Sequence, residues 1–193
     1  DEQARVSSGR VLYASATAAP GGDGSRSAPF NSLEALERAS SAGDDLVILA
    51  SPLDVAALDG GIALKPHQRL IGDGPNVLQF ENNAPVKGAS ALSELPRIRN
   101  TNISHLNGDA VRLSEANEVR NIVINESIRG AIYGLNSPNT VIQGNDISGF
   151  NTICTIGFTV QPFVLPTVLP FIGAPILLPA GWAGIMVDAN SGA

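Results

Sequence analysis

Charge is scarce in this sequence: Asp, Glu, Lys and Arg together make up 16% of 193 residues, and aromatics only 5%. What charge there is leans acidic, for a formal net charge of −6. A nucleic-acid partner requires a basic face, so that class is disfavoured. General attraction to anionic membranes is disfavoured by the same sign. Cysteine is reduced to Cys154, so no internal disulfide can form. The opening DEQARVSSGR is polar and holds no apolar leader. His67 and His105 stand far apart with no His or Cys at ligand spacing, so they read as surface or turn residues.

Turn-forming residues and short aliphatic runs are plentiful instead, including 20 Gly and 13 Pro. The stretch from Pro96 to Gly149 repeats itself. Ile98, Val119 and Val141 recur at a nearly constant spacing, and Ile103, Ile124 and Ile147 recur at almost the same one. The pair Ala110-Val111 returns as Ala131-Ile132 after the same interval. Each line is too short to bury its own apolar face, so the lines must stack. With V-x-x-I and I-x-I patterns and no helical period, the expected fold is all-β, a parallel β-helix solenoid. Asn117 and Asn139, one such interval apart, are expected to stack as part of an asparagine ladder at a coil corner.

Upstream, VLYAS (11–15) reads as a strand, followed by a Gly-rich loop whose spacing fits no calcium-binding EF-hand. A short amphipathic helix comes next. Asn31 is its expected N-cap, with Glu34 as capping-box partner and Phe30 as staple. Leu33, Leu36 and Ala39 form its apolar face, with Glu34, Glu37 and Arg38 toward solvent, and Gly43 ends it. It precedes the strand Leu46–Leu49 and is expected to lie over the first coil as a lid. Ile62, Leu64, Leu70 and Ile71 are expected to point inward, and Val77 to Phe80 to form another strand before an excursion to Pro96.

The segment VLYASATAAPGGDGSRSAPFNSLEALERASSAGDDLVILA resembles the N-terminal part of pectate-lyase-like right-handed parallel β-helix proteins. There a strand, a Gly/Asp/Ser loop, a Pro-Phe pair and a capping helix lead into the first coil. GIALKPHQRLIGDGP is similar to early coils of large bacterial surface proteins. The resemblance implies right-handed winding. It spans lyases, hydrolases, adhesins and tailspikes, so it implies no single activity.

A lyase of that family would need clustered acids for calcium and an Arg or Lys base. Asp109, Glu115, Glu118, Glu126 and Asp146 are the available acids, with Arg97, Arg99, Arg112, Arg120 and Arg129 as bases. Stacking is expected to bring Arg99 near Arg120, but no acidic pair recurs at the coil period. The W-x-D-H and R-x-P-x-x-R lyase signatures are missing, as are the N-T-D, G-H-G and R-I-K segments of polygalacturonases, of which Arg97-Ile98-Arg99 is a partial echo. No catalytic residue, metal site or cofactor is therefore assigned, calcium included.

The run from Ile147 to Val187 passes without one Asp, Glu, Lys, Arg or His. Gly184-Ile185 matches Ala131-Ile132 once one further coil and a long insertion are allowed between them. Pro162, Pro166, Pro170, Pro175 and Pro179 interrupt the insertion too often for a membrane-spanning helix. So apolar a stretch must bury itself, either on the side of the solenoid or against a partner. Phe158, Phe163, Leu165, Leu169, Phe171, Ile172 and Trp182 are its candidate partner-binding residues, for a protein or carbohydrate surface or for self-association. Cys154 lies in this apolar run with no base nearby and reads as an inert buried thiol.

The sequence is thus read as one domain, residues 1–193. Residues 11–50 hold the strand, loop and capping helix, 51–150 the coils, 151–182 the insertion and 183–193 a resumed coil. With no terminal cap after the last strand, it is expected to be the N-terminal part of a longer protein. The function expected is a non-catalytic extracellular or cell-surface module of adhesin type, with the first part of a carbohydrate-active lyase or hydrolase as the alternative.

Overall fold

The computed structural model describes residues 9–50, 57–73, 95–152 and 184–188. Among these the only α-helix is α1 (Leu33–Ala39), and every other extended element is a strand in a parallel sheet. The first sheet joins β1 (Val11–Ala14), β2 (Asp45–Ile48), β5 (Arg69–Gly72), β8 (Glu118–Arg120) and β11 (Val141–Gln143) in that order. The second joins β3 (Ala57–Asp59), β6 (Arg97–Arg99), β9 (Val123–Ile124) and β12 (Asp146–Ile147). The third joins β4 (Ile62–Ala63), β7 (Val111–Leu113), β10 (Ile132–Leu135) and β13 (Ile185–Asp188). From β2 onward the chain visits the three sheets in the same order, four times. Among the described residues the expectation of an all-β chain holds in that form: parallel strands, little helix and no closed sheet.

Registers show why the strands are so short and so aliphatic. Leu12, Leu46, Leu70, Val119 and Ile142 follow one another across the first sheet. Leu58, Ile98, Ile124 and Ile147 do so in the second, and Ile62, Val111, Ile132 and Ile185 in the third. Each strand from β1 to β12 contributes one or two inward side chains, and the columns from the three sheets merge into a single core cluster. Branched aliphatics fit that geometry because they pack against like neighbours on a pleated surface.

The Ala110-Val111 to Ala131-Ile132 match, the Ile124 to Ile147 match and the Ile132 to Ile185 match across the insertion are all real strand neighbours. Two others are corrected. Val141 pairs with Glu118, so Val119 meets Ile142, one position away from the expected register. Ile98 belongs to the second sheet, where it faces Ile124 rather than Val119. Ile103 lies exposed in a turn and matches neither strand. The slip arises because residues 100–110 detour through a turn, lengthening that coil, while every sheet presents a similar apolar triplet.

Helix α1 starts one position later than expected. Ser32, not Asn31, is the N-cap: its backbone is extended and its Oγ accepts from the Ala35 N–H at 3.2 Å. The helix ends at Ser40, which donates its N–H to the Leu36 carbonyl; Gly43 lies beyond it in a turn at φ 80°. Glu34 pairs with Arg38 on the exposed face instead of reaching back to the cap. Leu33 and Leu36 are fully buried in the core. Glu37 departs from the solvent-facing expectation. Its Oε2 accepts from the Ala63 N–H of β4 at 2.8 Å, on the side of β4 that no strand of the third sheet occupies. Lys65 and Gln68 then donate to carbonyls at the end of the helix, those of Glu37, Ser40 and Ser41. The outer edge of β1 is met by loop backbone: Tyr13 N–H donates to Gly24, Phe30 N–H to Tyr13, and Ser15 N–H to Phe30.

Ile62, Leu64, Leu70 and Ile71 are all buried as expected, but Ile71 faces away from the main core. It joins Tyr13 and Val47 in a second cluster on the other side of the first sheet. The expected strand at 77–80 and the candidate residues Phe158, Phe163, Leu165, Leu169, Phe171, Ile172 and Trp182, with Cys154, lie outside the described residues. Among the described residues no helix is long and apolar enough to cross a membrane.

Candidate functional site

With the inward positions given to aliphatics, charge falls on the outward ones, and register decides which charges meet. On the first sheet Asp45, Arg69 and Glu118 stand in adjacent strands in alternating sign. Arg69 grips Asp45 through Nε at 2.5 Å and Nη2 at 2.6 Å, both side chains being buried. Burial opposes the Arg69 charge, yet the Asp45 hydrogen bonds and the Asp45 and Glu118 carboxylates hold its pKa above the ordinary value. Arg120 pairs with Glu118. On the second sheet Arg99 bridges Asp59 at 3.0 Å and Glu126 at 2.5 Å. Asp59 also accepts from the Thr101 N–H and hydroxyl. Burial alone would raise the Asp59 carboxyl, but the Thr101 bonds and Arg99 hold it below the usual carboxylate range.

The third sheet carries the densest group. Asp109 precedes β7, is fully buried, and has both oxygens occupied. Oδ1 accepts from Arg129 Nε at 2.8 Å and from Gly130 N–H at 3.2 Å. Oδ2 accepts from Arg112 Nη2 at 2.9 Å and from Arg129 Nη2. Both guanidinium groups also lie over the ring of Tyr133, at 5.7 Å for Arg112 and 5.1 Å for Arg129. Arg112 and Tyr133 are direct neighbours in the β7–β10 register.

The loop entering β7 is built to hold this group. Leu106, Asn107 and Gly108 take three consecutive left-handed conformations, with φ of 51°, 54° and 84°. Such a run is unfavourable for a leucine and easiest for glycine; at Gly108 a Cβ would also come within 2.6 Å of Ile128 Cβ. Buried Asn100 pins the loop at both ends, donating from Nδ2 to the His105 carbonyl at 3.0 Å and the Asp109 carbonyl at 2.8 Å. His105 closes against the Gly60 carbonyl through Nδ1. The result aims the Leu106 carbonyl at Arg112 Nη2, 2.7 Å away. Backbone held in sparsely populated regions tends to mark functional positions.

Of the acids and bases picked out in the sequence, the fold brings together Asp109 with Arg112 and Arg129, Glu118 with Arg120, and Glu126 with Arg99. Arg99 and Arg120 do not meet: they sit on different sheets, because the repeat spacing linked β6 to β8 across a corner. Glu115 and Asp146 are exposed and join no ion pair among the described residues. The expected asparagine ladder is not formed by Asn117. Its Nδ2 donates to the Lys65 and Gln68 carbonyls and its Oδ1 accepts from Ser114 N–H, so it fixes the corner through backbone. His67 is an exposed turn residue at φ 62°. Among the described residues no group of three or more His, Cys, Asp or Glu could hold a metal ion.

Sequence reading missed Asn100, Tyr133 and the Asp45–Arg69 pair. The Tyr133 signal was present: it follows Ile132 as Arg112 follows Val111, so the same coil step sets them side by side. No family model, curated protein or solved structure matches this chain.

Proposed function

We propose that this chain winds as a right-handed parallel β-helix, with α1 as its N-terminal cap, and serves as a non-catalytic extracellular or cell-surface module that presents its outer faces to a partner. The observation that carries this reading is the cyclic order of the strands, first, second and third sheet in turn, with aliphatic columns in register inside. Right-handed winding is what the sequence resemblance implies, and it agrees with the general handedness of parallel crossovers. A non-catalytic role is supported by where the carboxylates go: Asp45, Asp59, Asp109, Glu118 and Glu126 each hold an arginine, and the Asp45–Arg69, Asp59–Arg99, Asp109–Arg129 and Glu126–Arg99 pairs tie successive coils together. A stack of short strands with its charge turned outward suits a surface scaffold.

A carbohydrate-active enzyme is the second reading, and Asp109 beside two arginines and a tyrosine is what favours it. Incubation with uronate polymers, with and without calcium, separates the two by absorbance of the unsaturated product. The module reading expects no product in either case. Calcium-dependent turnover would replace it with the enzyme reading.

A further inference from the structure

We propose that Asn102 is an acceptor for N-linked glycosylation, taking a sugar on its Nδ2 from a diphosphate-linked sugar donor. The inference rests on the extracellular reading for where the chain meets such a donor, and on the structure for which asparagine takes it.

The sequence contains two acceptor triplets of the form Asn-x-Ser, Asn102-Ile103-Ser104 and Asn125-Glu126-Ser127, neither with a proline in the middle. The fold treats them oppositely. Asn102, Ile103 and Ser104 are all exposed, on a turn that leaves the coil between β6 and β7. The His105 N–H closes this turn on the Asn102 carbonyl at 3.2 Å. Ser104 N–H donates to Asn102 Oδ1 at 3.0 Å, while Asn102 Nδ2 makes no hydrogen bond among the described residues. Buried Asn100 anchors the turn, its Oδ1 accepting from the Asn102 N–H at 2.9 Å.

The second triplet lies at the corner after β9. Ser127 is 0% exposed, and its Oγ is buried, as is Asn125 Oδ1. Glu126 between them is tied to Arg99. A transferase that reads this motif must reach both the asparagine and the hydroxyl two residues on, which the folded corner forbids. Ile103 is a second observation in favour of Asn102. At 58% it is the most exposed large hydrophobic among the described residues, and a hydrophilic glycan on the residue before it would cover it.

The transfer is a simple displacement. A bond forms between Asn102 Nδ2 and the anomeric carbon of the sugar. The bond from that carbon to the diphosphate oxygen breaks, its electron pair leaves with the diphosphate, and the amide gives one proton to a base of the transferase.

The test incubates the folded full chain in two arms, read by intact mass and peptide mapping. One arm supplies a soluble asparagine glycosyltransferase with UDP-glucose, and the other an oligosaccharyltransferase with a lipid-diphosphate oligosaccharide. A free peptide spanning 98–108 is the reference in both. The expected result is one glycan per chain, on Asn102, in at least one arm; the arm that reacts assigns the nucleotide-linked or the lipid-linked donor. Asn102→Gln should abolish it, and so should Ser104→Ala, which keeps both the asparagine and the N–H that holds its Oδ1. An unmodified Asn102 in the folded chain overturns the proposal, whether or not the peptide reacts. Modification of Asn125 in the folded chain as fast as of Asn102, or full modification of Ser104→Ala, overturns it too. A chain that is modified in vitro but is found in the cytosol of its own cells would leave the acceptor standing and remove the extracellular reading instead.

Discussion

Ile62 and Ile185 occupy the two ends of one column of side chains, yet Ile62 is 0% exposed and Ile185 is 44% exposed. Between them Val111 and Ile132 are fully buried. The chemistry of the two end positions is the same, so the difference lies in what covers them. At the first end α1 sets Leu33 and Leu36 against the core and gives the Ala63 N–H an acceptor in Glu37. An unpaired sheet edge is a template for further pairing, and a short helix with one inward carboxylate removes both its apolar surface and its free donor.

The comparison can be broken most forcefully at Leu36. Leu36→Ala should cost roughly 2–5 kcal/mol, whereas Ile185→Ala should cost less than about 1 kcal/mol, since an exposed side chain leaves no cavity. Urea unfolding midpoints at constant slope measure both, and equal losses would mean that the ends do not differ. Glu37→Ala, which strands the Ala63 N–H, should cost about 1–3 kcal/mol, and Glu37→Gln should recover most of that because its amide oxygen still accepts. Ser32→Ala removes the helix N-cap and should cost about 1 kcal/mol in the same assay.

Acid should loosen the same end. Burial would raise the Asp44 carboxyl, but the Ser41 and Arg10 N–H groups and the Arg10 guanidinium hold it below the ordinary value of 3.8. Asp59 is lowered likewise. A depressed carboxylate contributes stability that is fully present above its unfolded pKa and is lost as pH falls through its folded one. Stability should therefore fall as pH drops below 3.8, and Asp44→Asn should flatten that fall in melting curves taken across the acid range. The smallest effect belongs to Asp73, whose pKa burial raises despite Arg26. A raised carboxyl favours the protonated fold, so its contribution is present at low pH and lost as pH rises. Asp73→Asn should then lift the melting temperature at neutral pH by at most a few degrees, a gain that vanishes below pH 3.8.

How much of this was legible depended on period. Where coils keep an even length, a single step carries one strand onto the next: Ala110-Val111 predicted Ala131-Ile132, and Ile132 predicted Ile185 across an insertion. Where the loop at 100–110 lengthens a coil, the same arithmetic jumped from the second sheet to the first and linked Ile98 with Val119. Three similar faces give three similar apolar triplets, so composition alone could not correct the slip. The helix was legible through its apolar face, and its cap was missed by one position because Asn31 and Ser32 both suit it. The Asp109 group was half visible. Its charged members were all noted, but their meeting depends on which corner each occupies, and Asn100 and the left-handed turn leave no trace in a periodic pattern.

The claim on which the rest depends is that Leu70, Val119 and Ile142 are consecutive members of one inward column. Methyl NOEs on the intact chain test it directly. The register predicts cross-peaks from Val119 to both Leu70 and Ile142 and none between Leu70 and Ile142, which lie two strand spacings apart, about 10 Å. Cross-peaks from Val119 to Ile98 in place of Leu70, or no contact between Val119 and Ile142, would contradict it.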